Sequence, residues 1–343
     1  MTLRCVLAAA AATVALFLVA CGGGDAGPRG ELSRLDDLRG RTVGVASLDG
    51  VPTLELRYVL RAEHDLEAAI VGGDVTLVES PVDSLQGLLD SGDVDAALLS
   101  ERKAFQLRDD DSVYVLARLA ADTRDLTGEP VLATILATYP DVAAEKPEAL
   151  EELRAVISAS LTYFRANQDA VIEAVAADGD EREFLRWWWD RHDLVFGDAS
   201  PAMQAQLLHL WGVSQTLGDI DGYPTIEAAL FRAQDGAGPD EGPPGATHTT
   251  VTLAVLDDPG RRCALFALEQ RLITSDRIDV NLTYLPLSAL QEAVPARQYD
   301  VVETSPLAVP QKSNAVPGLI VLSGGLQDLD GTLLFVRSAA AGE

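Results

Sequence analysis

The sequence is short of cationic side chains, of cysteine and of aromatic residues. Its 343 residues include 26 Lys and Arg against 53 Asp and Glu, which gives a formal net charge of −27 at pH 7. A surface of this sign repels phosphate backbones, so the composition argues against nucleic-acid binding. About 48% of the residues are apolar and 23% are charged, unlike a disordered chain or a protein with many membrane spans.

Motifs typical of enzymes and metal sites are also absent. The chain has no G-x-S-x-G, Walker loop, HExxH or CxxC sequence. Its histidines have no metal-ligand spacing, so solvated or capping roles are expected for all of them. We therefore predict no cofactor and no metal. The four histidines are His64, His192, His209 and His248.

The N-terminus carries the pattern of an exported protein. Residues 1–20 hold one charged side chain, Arg4, and an apolar run too short to span a bilayer, as in a cleaved signal peptide. Residues 18–21 (LVAC) resemble a bacterial lipobox, which implies a lipid on Cys21. The alternative is an ordinary signal peptide followed by an accidental cysteine. Residues 21–35, which contain three glycines directly after Cys21, are predicted to form a flexible tether.

The three cysteines leave no internal disulfide. Cys5 belongs to the predicted signal peptide and Cys21 to the lipid anchor, so Cys263 remains alone. Cys263 lies in a helical pattern at 262–272, where we expect a buried thiol that packs as a small apolar side chain.

From residue 41 onward, short apolar strands alternate with helices, interrupted by a Gly- and Pro-rich segment at 233–247 that is predicted to be a linker. This alternation predicts an α/β fold with mostly parallel sheets flanked by helices. The predicted strands are 42–46, 75–78, 95–99, 113–119, 131–138, 250–255, 280–285, 300–302, 318–322 and 332–336. The predicted helices are 54–62, 84–91, 147–176, 181–192, 201–217, 262–272 and 287–294.

The two stretches on either side of the linker correspond to each other. Each reads βαβαβ with similar spacing, and in each an aspartate, Asp95 or Asp300, precedes the third strand. We interpret this as an internal repeat of two α/β lobes. The alternative is a pair of unrelated α/β units.

Three segments resemble the type II solute-binding proteins of ABC importers, in particular the aliphatic sulfonate, nitrate, taurine and thiamine-pyrimidine-precursor group. They are DLRGRTVGV at 37–45, GDVDAA at 92–97 and the helix at 147–176. The resemblance implies two lobes with a ligand cleft between them. It further implies a monomeric, lipid-anchored, non-enzymatic protein that delivers a small polar solute to an ABC permease. Two alternatives are an enzyme of the same fold in pyrimidine or quinone precursor synthesis, and a ligand-sensing lipoprotein without transport.

The order of these segments departs from that family. The part that comes first in the family lies here at 248–338, after the part that resembles its continuation at 36–231. We therefore predict a circular permutation with one covalent crossing between lobes, near 129–139, and with Leu35 and Ser338 close together in space. The predicted segments are a signal peptide (1–20), a tether (21–35), the first lobe (36–128), a hinge strand and helical part of the other lobe (129–232), a linker (233–247) and the remainder of that lobe (248–343).

Polar loops follow four of the predicted strands. Ligands of open α/β sheets bind at the carboxyl ends of strands, so these loops are the candidate binding site. A carboxylate in every loop favours a cationic or amine-bearing ligand, because a buried carboxylate needs a partner. The candidate residues are Ser47, Asp49, Ser100, Glu101, Asp257, Asp258, Glu303, Thr304 and Ser305. The alternatives are helix capping by these side chains, or an anion bound by neighbouring basic residues. Those basic residues are Arg102, Lys103, Arg261 and Arg262.

Three consecutive tryptophans occupy 187–189. Successive side chains on a helix point about 100° apart, so at most one or two of them can face any site. Packing in the core or between lobes is therefore expected for this triplet.

Overall fold

The computed structural model describes residues 32–232, 248–311 and 318–338. The predicted signal peptide, Cys21, most of the tether and the linker at 233–247 lie outside these residues. The described chain begins inside the fold, because Leu32 and Leu35 are buried in the core of the first lobe. The prediction of a tether up to residue 35 is therefore wrong at its end. No helix in the described ranges combines the length and the apolar character needed to cross a bilayer.

The described residues form strands of two to eight residues. These strands are β1 (Thr42–Val45), β2 (Ala68–Ala69), β3 (Val75–Glu79), β4 (Ala96–Leu98), β5 (Val113–Arg118), β6 (Val131–Leu132), β7 (Ile135–Thr138), β8 (His192–Leu194), β9 (Thr249–Leu256), β10 (Ile278–Leu285), β11 (Val301–Thr304), β12 (Ile320–Gly324), β13 (Leu326–Asp328) and β14 (Leu333–Arg337).

The helices lie between these strands, singly or in groups. They are α1 (Val51–His64), α2 (Leu85–Ser91), α3 (Glu101–Gln106), α4 (Leu119–Thr127), α5 (Pro140–Glu145), α6 (Pro147–Ala166), α7 (Gln168–Val175), α8 (Gly179–Trp189), α9 (Pro201–Leu217), α10 (Ile226–Ala229), α11 (Pro259–Ala264), α12 (Phe266–Glu269) and α13 (Leu287–Ala296).

The first lobe is built on a six-stranded sheet in the order β2-β3-β1-β4-β14-β5. Alternate residues of β4 face opposite cores: Ala96 joins the cluster that includes α1, and Ala97 joins the cluster that includes α2. Because both faces of the sheet are covered by helices, its central strands β1 and β4 have no exposed residue.

The second lobe is built on a five-stranded sheet in the order β10-β9-β11-β7-β12. Helices α6, α7, α8 and α11 pack on one face, and α9 and α13 pack on the other. The α/β fold class is therefore confirmed. Both sheets are mixed rather than purely parallel, because β14 in the first lobe and β7 in the second enter antiparallel to their neighbours.

The internal repeat is supported by an equivalent hydrogen bond in each lobe. The carboxylate of Asp95 accepts the backbone N–H of Thr42 at 3.0 Å, where β1 begins. The carboxylate of Asp300 accepts the backbone N–H of Thr252 at 2.8 Å, at the matching place in β9. In both lobes the aspartate before the third strand of the repeat thus holds a backbone N–H of the first strand.

A three-stranded sheet, β6-β13-β8, lies where the chain passes between the lobes. The chain crosses twice, from β6 to β7 and from β13 to β14, so the prediction of a single crossing is wrong. The assignment of 333–338 to the second lobe is also wrong, because β14 pairs with β4 and β5 of the first. Residues 333–336 are all buried there, between strands on both sides.

The two ends of the described chain lie close together at Tyr114 of β5. The Tyr114 hydroxyl donates a hydrogen bond to the backbone carbonyl of Leu32, and Tyr114 is in register with Val336 of β14. This contact is consistent with the expected proximity of Leu35 and Ser338. The circular permutation itself stays a prediction.

Candidate functional site

A pocket of about 200 Å³ lies between the two lobes, at the carboxyl ends of β4 and β9. The first lobe contributes the start of α3, and the second contributes α8 and the start of α11. The lining residues are Ser100, Glu101, Arg102, Phe184, Trp188, Asp258, Pro259 and Gly260.

Ser100 and Glu101 reach the pocket because β4 ends just before them and α3 starts at once. The Ser100 side chain caps α3 by accepting the backbone N–H of Lys103 at 3.4 Å. The capping alternative therefore holds for Ser100, which also lines the pocket. Glu101 follows in the first turn of α3.

Glu101 makes polar contacts across the two lobes. One carboxylate oxygen accepts a hydrogen bond from the indole Nε1 of Trp188 at 2.8 Å, and the other lies 3.2 Å from Nε2 of His192. Burial alone would raise the pKa of Glu101, but the charge of His192 and the hydrogen bonds from His192 and Trp188 lower it to about 2.

His192, at the start of β8, is buried against this carboxylate. Its ring stacks on Trp188 with centroids 4.5 Å apart, and Nδ1 lies 3.0 Å from the Trp188 carbonyl. Burial alone would lower the pKa of His192, but Glu101 and then Asp328 outweigh it and raise the pKa to about 9. The ring is therefore a buried cation at neutral pH, and the expected solvated or capping role for His192 is wrong.

On the second lobe, Asp258 caps α11 and pairs with Arg261. Its carboxylate accepts the backbone N–H of Arg261 at 2.9 Å and lies 2.7 Å from the guanidinium. Burial raises the pKa of Asp258 to about 6, although the nearby charge of Arg261 acts in the opposite direction. This carboxyl is consequently close to titration at neutral pH.

Glu303 lies beneath the pocket rather than in its wall. It accepts hydrogen bonds from Arg261 Nη2 at 2.8 Å, from the Thr134 hydroxyl at 2.7 Å and from the Leu256 N–H at 3.0 Å. Arg261, one of the basic residues that could bind an anion, already has both Asp258 and Glu303 as partners. Its guanidinium therefore pairs with carboxylates of the protein itself rather than facing a ligand anion.

Two further carboxyls are buried behind His192. Glu55 of α1 is fully buried. Asp328 of β13 accepts the Thr332 hydroxyl and the Gly331 N–H, each at 2.6 Å. Burial, and then the charge of Asp328, raise the pKa of Glu55 well above its usual value.

The nine residues proposed from the sequence fall into three groups. Ser100, Glu101 and Asp258 come together in the pocket, and Glu303 lies below it. Asp257 is bound by Arg262 at 3.0 Å, away from the lining. The remaining four do not line this pocket: Ser47, the exposed Asp49, Thr304, and Ser305, which caps a short helical turn. A ligand contact for any of the nine stays a prediction.

Sequence reasoning missed Trp188, His192 and Phe184 as parts of the site. A weak signal exists for two of them, because residues 188 and 192 are four apart and fall on one side of a helical pattern. Trp187 and Trp189 pack against the core of the second lobe, as expected for the triplet. No group of three His, Cys, Asp or Glu side chains in the described ranges is placed to hold a metal ion.

Comparisons with known proteins give distant structural likenesses only. No family model matches the chain, and no curated protein sequence is similar to it. One similar structure is the PBP AgaA in complex with agropinic acid from A. tumefaciens R10 (11% identity, 77% of this chain and 55% of that chain, TM-score 0.34). Another is the alkanesulfonate-binding protein SsuA from Xanthomonas axonopodis pv. citri bound to MOPS (10% identity, 88% of this chain and 66% of that chain, TM-score 0.30).

A third is the Escherichia coli murein tripeptide binding protein MppA (14%, 67% of this chain and 38% of that chain, TM-score 0.28). The chain thus spans well under half the length of MppA and little more than half that of AgaA. Superpositions this loose carry no information about what this chain binds. What they do show is that binding proteins are among the structures that this chain is similar to.

Proposed function

We propose that the protein is an extracytoplasmic binding protein, anchored by a lipid at Cys21, that captures a small polar solute between its lobes and delivers it to an ABC permease. The observation that carries the proposal is the position of the pocket. Glu101 comes from one lobe and Asp258 from the other, so one ligand between them contacts both lobes.

The charge around the pocket favours a ligand with a cationic group. Five buried or half-buried carboxyls face two buried cations, His192 and Arg261. A third cation, the lining residue Arg102, pairs with Glu181 at 3.6 Å. Burying unpaired carboxylates is costly, and they respond by taking up protons or by finding a cation. A ligand ammonium between Glu101 and Asp258 would offset this cost. The five carboxyls are Glu55, Glu101, Asp258, Glu303 and Asp328.

The size and the apolar part of the pocket favour a small organic solute. Phe184, Trp188 and Pro259 supply apolar surface beside the carboxylates. Sites for drug-sized ligands usually measure about 300–1,000 Å³, and this pocket holds about 200 Å³. An amine with a short carbon chain fits both the volume and the mixed lining.

The anchoring and export parts rest on residues 1–21. Their apolar run and the LVAC segment fit a lipoprotein signal. In a bacterial host, the full chain should be found in the membrane fraction, and Cys21→Ser should release it to the soluble extracytoplasmic fraction. If the unsubstituted chain were found in the soluble fraction, the proposed lipid anchor would be contradicted.

The ligand class is tested by thermal unfolding of the full chain with three matched probes: 1-butylamine, 1-butanol and butyrate. A ligand that binds only the folded state raises the unfolding temperature, because it adds RT ln(1 + [L]/Kd) to the stability. We expect a rise with the amine alone, and we expect Glu101→Gln and Asp258→Asn to abolish it.

The matched control is Asp49→Asn, an exposed carboxylate outside the pocket lining, which should keep the response to the amine. A rise with butyrate instead of the amine would contradict the cationic class. Chemical conversion of the probe during incubation would favour the alternative, an enzyme of this fold.

A further inference from the structure

The two lobes are joined at one side of the pocket by packing of α3 against α8. Phe105 of α3 belongs to the first lobe by sequence, yet its ring lies in the aromatic core of the second. It meets the ring of Phe184 at 5.4 Å and that of Trp187 at 5.7 Å, both edge to face. Only 6% of Phe105 is exposed. We refer to α3, Arg108 and α8 together as the clasp.

Charged groups close the rim of the clasp. Arg108 donates to the Glu183 carboxylate at 2.7 Å and its guanidinium lies 3.8 Å from the centre of the Phe105 ring. Arg102 covers Phe184 in the same way at 3.7 Å. Each arginine therefore shields from water an aromatic ring that lies at the contact between the lobes.

A second contact between lobes lies at α1 and α9. Arg57 of α1 pairs with Asp219 at 2.6 Å and donates to the Leu217 carbonyl at 3.3 Å, while Arg61 donates to the Thr216 carbonyl at 3.2 Å. Carbonyls in the last turn of a helix lack partners within that helix. The first lobe thus caps the C-terminal end of a helix of the second.

Separating the lobes would undo all of these contacts without any replacement. Phe105 would be exposed to water, which is unfavourable for an aromatic side chain. The Trp188 indole and the buried Glu101 would lose each other, and a buried polar group without a partner is costly. None of these contacts involves a ligand.

We propose that the clasp makes the closed arrangement the resting state of the protein with no ligand bound, so that a solute enters by transient opening against the clasp. A ligand then selects and stabilises an arrangement that already exists, instead of bringing two separate lobes together. The inference concerns the lobes alone and does not depend on the ligand class or on transport.

The experiment measures the distance between spin labels on the two lobes by pulsed electron paramagnetic resonance, with no ligand added. Labels are placed by Val71→Cys in the first lobe and Leu272→Cys in the second, both exposed positions. The full chain is used with Cys5→Ser and Cys21→Ser. Cys263 is buried and is left in place.

We expect one narrow distance distribution, and we expect Phe105→Ala to broaden it and shift its maximum. Phe164→Ala is the matched control, because Phe164 is buried within the second lobe alone and meets Trp189 there. This control should lower stability but keep the narrow distribution.

A broad distribution in the unsubstituted protein, or an equal shift with Phe105→Ala and Phe164→Ala, would overturn the proposal. Should Phe105→Ala not fold, Arg108→Ala takes its place, since it removes the surface ion pair with Glu183. Broadening with Arg108→Ala then supports the clasp, and an unchanged distribution overturns it. Both results are independent of whether butylamine binds.

Discussion

Arg261 of α11 donates two hydrogen bonds to Oε1 of Glu303 in β11, at 2.8 Å from Nη2 and 3.2 Å from Nε. The two residues are 2% and 1% exposed. Because the pair joins the first turn of α11 to the sheet beneath it, Asp258 and Gly260 are held in place at the pocket wall.

Arg261→Ala should therefore destabilise the protein strongly. Removing one partner of a buried ion pair leaves an uncompensated charge and typically costs about 3–5 kcal/mol. The control is Arg262→Ala on the same helix, whose exposed pair with Asp257 should contribute about 0–1 kcal/mol. Urea unfolding of both variants measures the difference, and equal losses would contradict the buried role of Arg261.

His192 should make stability fall on the alkaline side. Its pKa rises from 6.5 to about 9 on folding, so the stabilisation is complete below pH 6.5 and is lost as the pH rises through 9. At about 1.4 kcal/mol per pKa unit, the loss is up to about 3 kcal/mol.

The measurement is the free energy of unfolding between pH 6 and about pH 10, for the unsubstituted protein and for His192→Gln. The groups facing the ring are Glu101 at 3.2 Å and Asp328 at 3.9 Å. Glu101 is ionised throughout this range, because its pKa is about 2. If His192→Gln showed the same alkaline slope as the unsubstituted protein, the buried imidazolium would be ruled out.

Gly331 should not tolerate a side chain. A Cβ at this position would lie 2.0 Å from Nε2 of the buried His192 and 3.0 Å from a carboxyl oxygen of Asp328. We expect Gly331→Ala to cost about 1–3 kcal/mol through overpacking. Gly87→Ala in α2 is the control: nothing lies within 4 Å, and replacing a helical glycine should gain up to about 1 kcal/mol. Thermal unfolding of the two variants tests this prediction. It would be wrong if both substitutions shifted the unfolding temperature in the same direction.

The predicted permutation can be reversed in the gene. Joining residue 338 to residue 32 by a short Gly-Ser linker and opening the chain within 233–247 should leave the fold intact, because both ends approach Tyr114. Stability should stay within about 1 kcal/mol, since loop-closure entropy depends weakly on loop length. Circular dichroism and urea unfolding report the outcome. The control is a permutant opened inside α6, which packs one face into the core of the second lobe and should not fold when it is cut. If the permutant opened within 233–247 did not fold, the predicted permutation would be contradicted.

The strands that carry the fold were predictable because each is a short apolar run between helices. The predictions at 42–46, 75–78, 250–255 and 280–285 correspond to β1, β3, β9 and β10. Helices α3 and α5 were missed because six residues are too few to show a 3.6-residue period. The helix predicted at 147–176 divides at Asn167, between α6 and α7.

The site was only half predictable, for a different reason. Glu101 and Asp258 stand directly after strands, so their position follows from the βα pattern alone. The partners of Glu101 lie 87 residues away at Trp188, and further still at His192. Such a contact is set by how the lobes pack, and a single sequence carries no sign of it. The same holds for the insertion of Phe105 into the second lobe.

The place of β14 has a consequence for the order in which the protein assembles. This strand lies between β4 and β5, yet it is the last of the described strands to be synthesised. The strands of the second lobe's sheet, β7 and β9 to β12, are all complete before it emerges. The first lobe, although most of it is synthesised first, can therefore complete its sheet only after the second lobe has been synthesised. Pairing between strands so far apart in sequence predicts slow folding. Deleting β14 should therefore unfold the first lobe, which is encoded early in the chain, rather than the second.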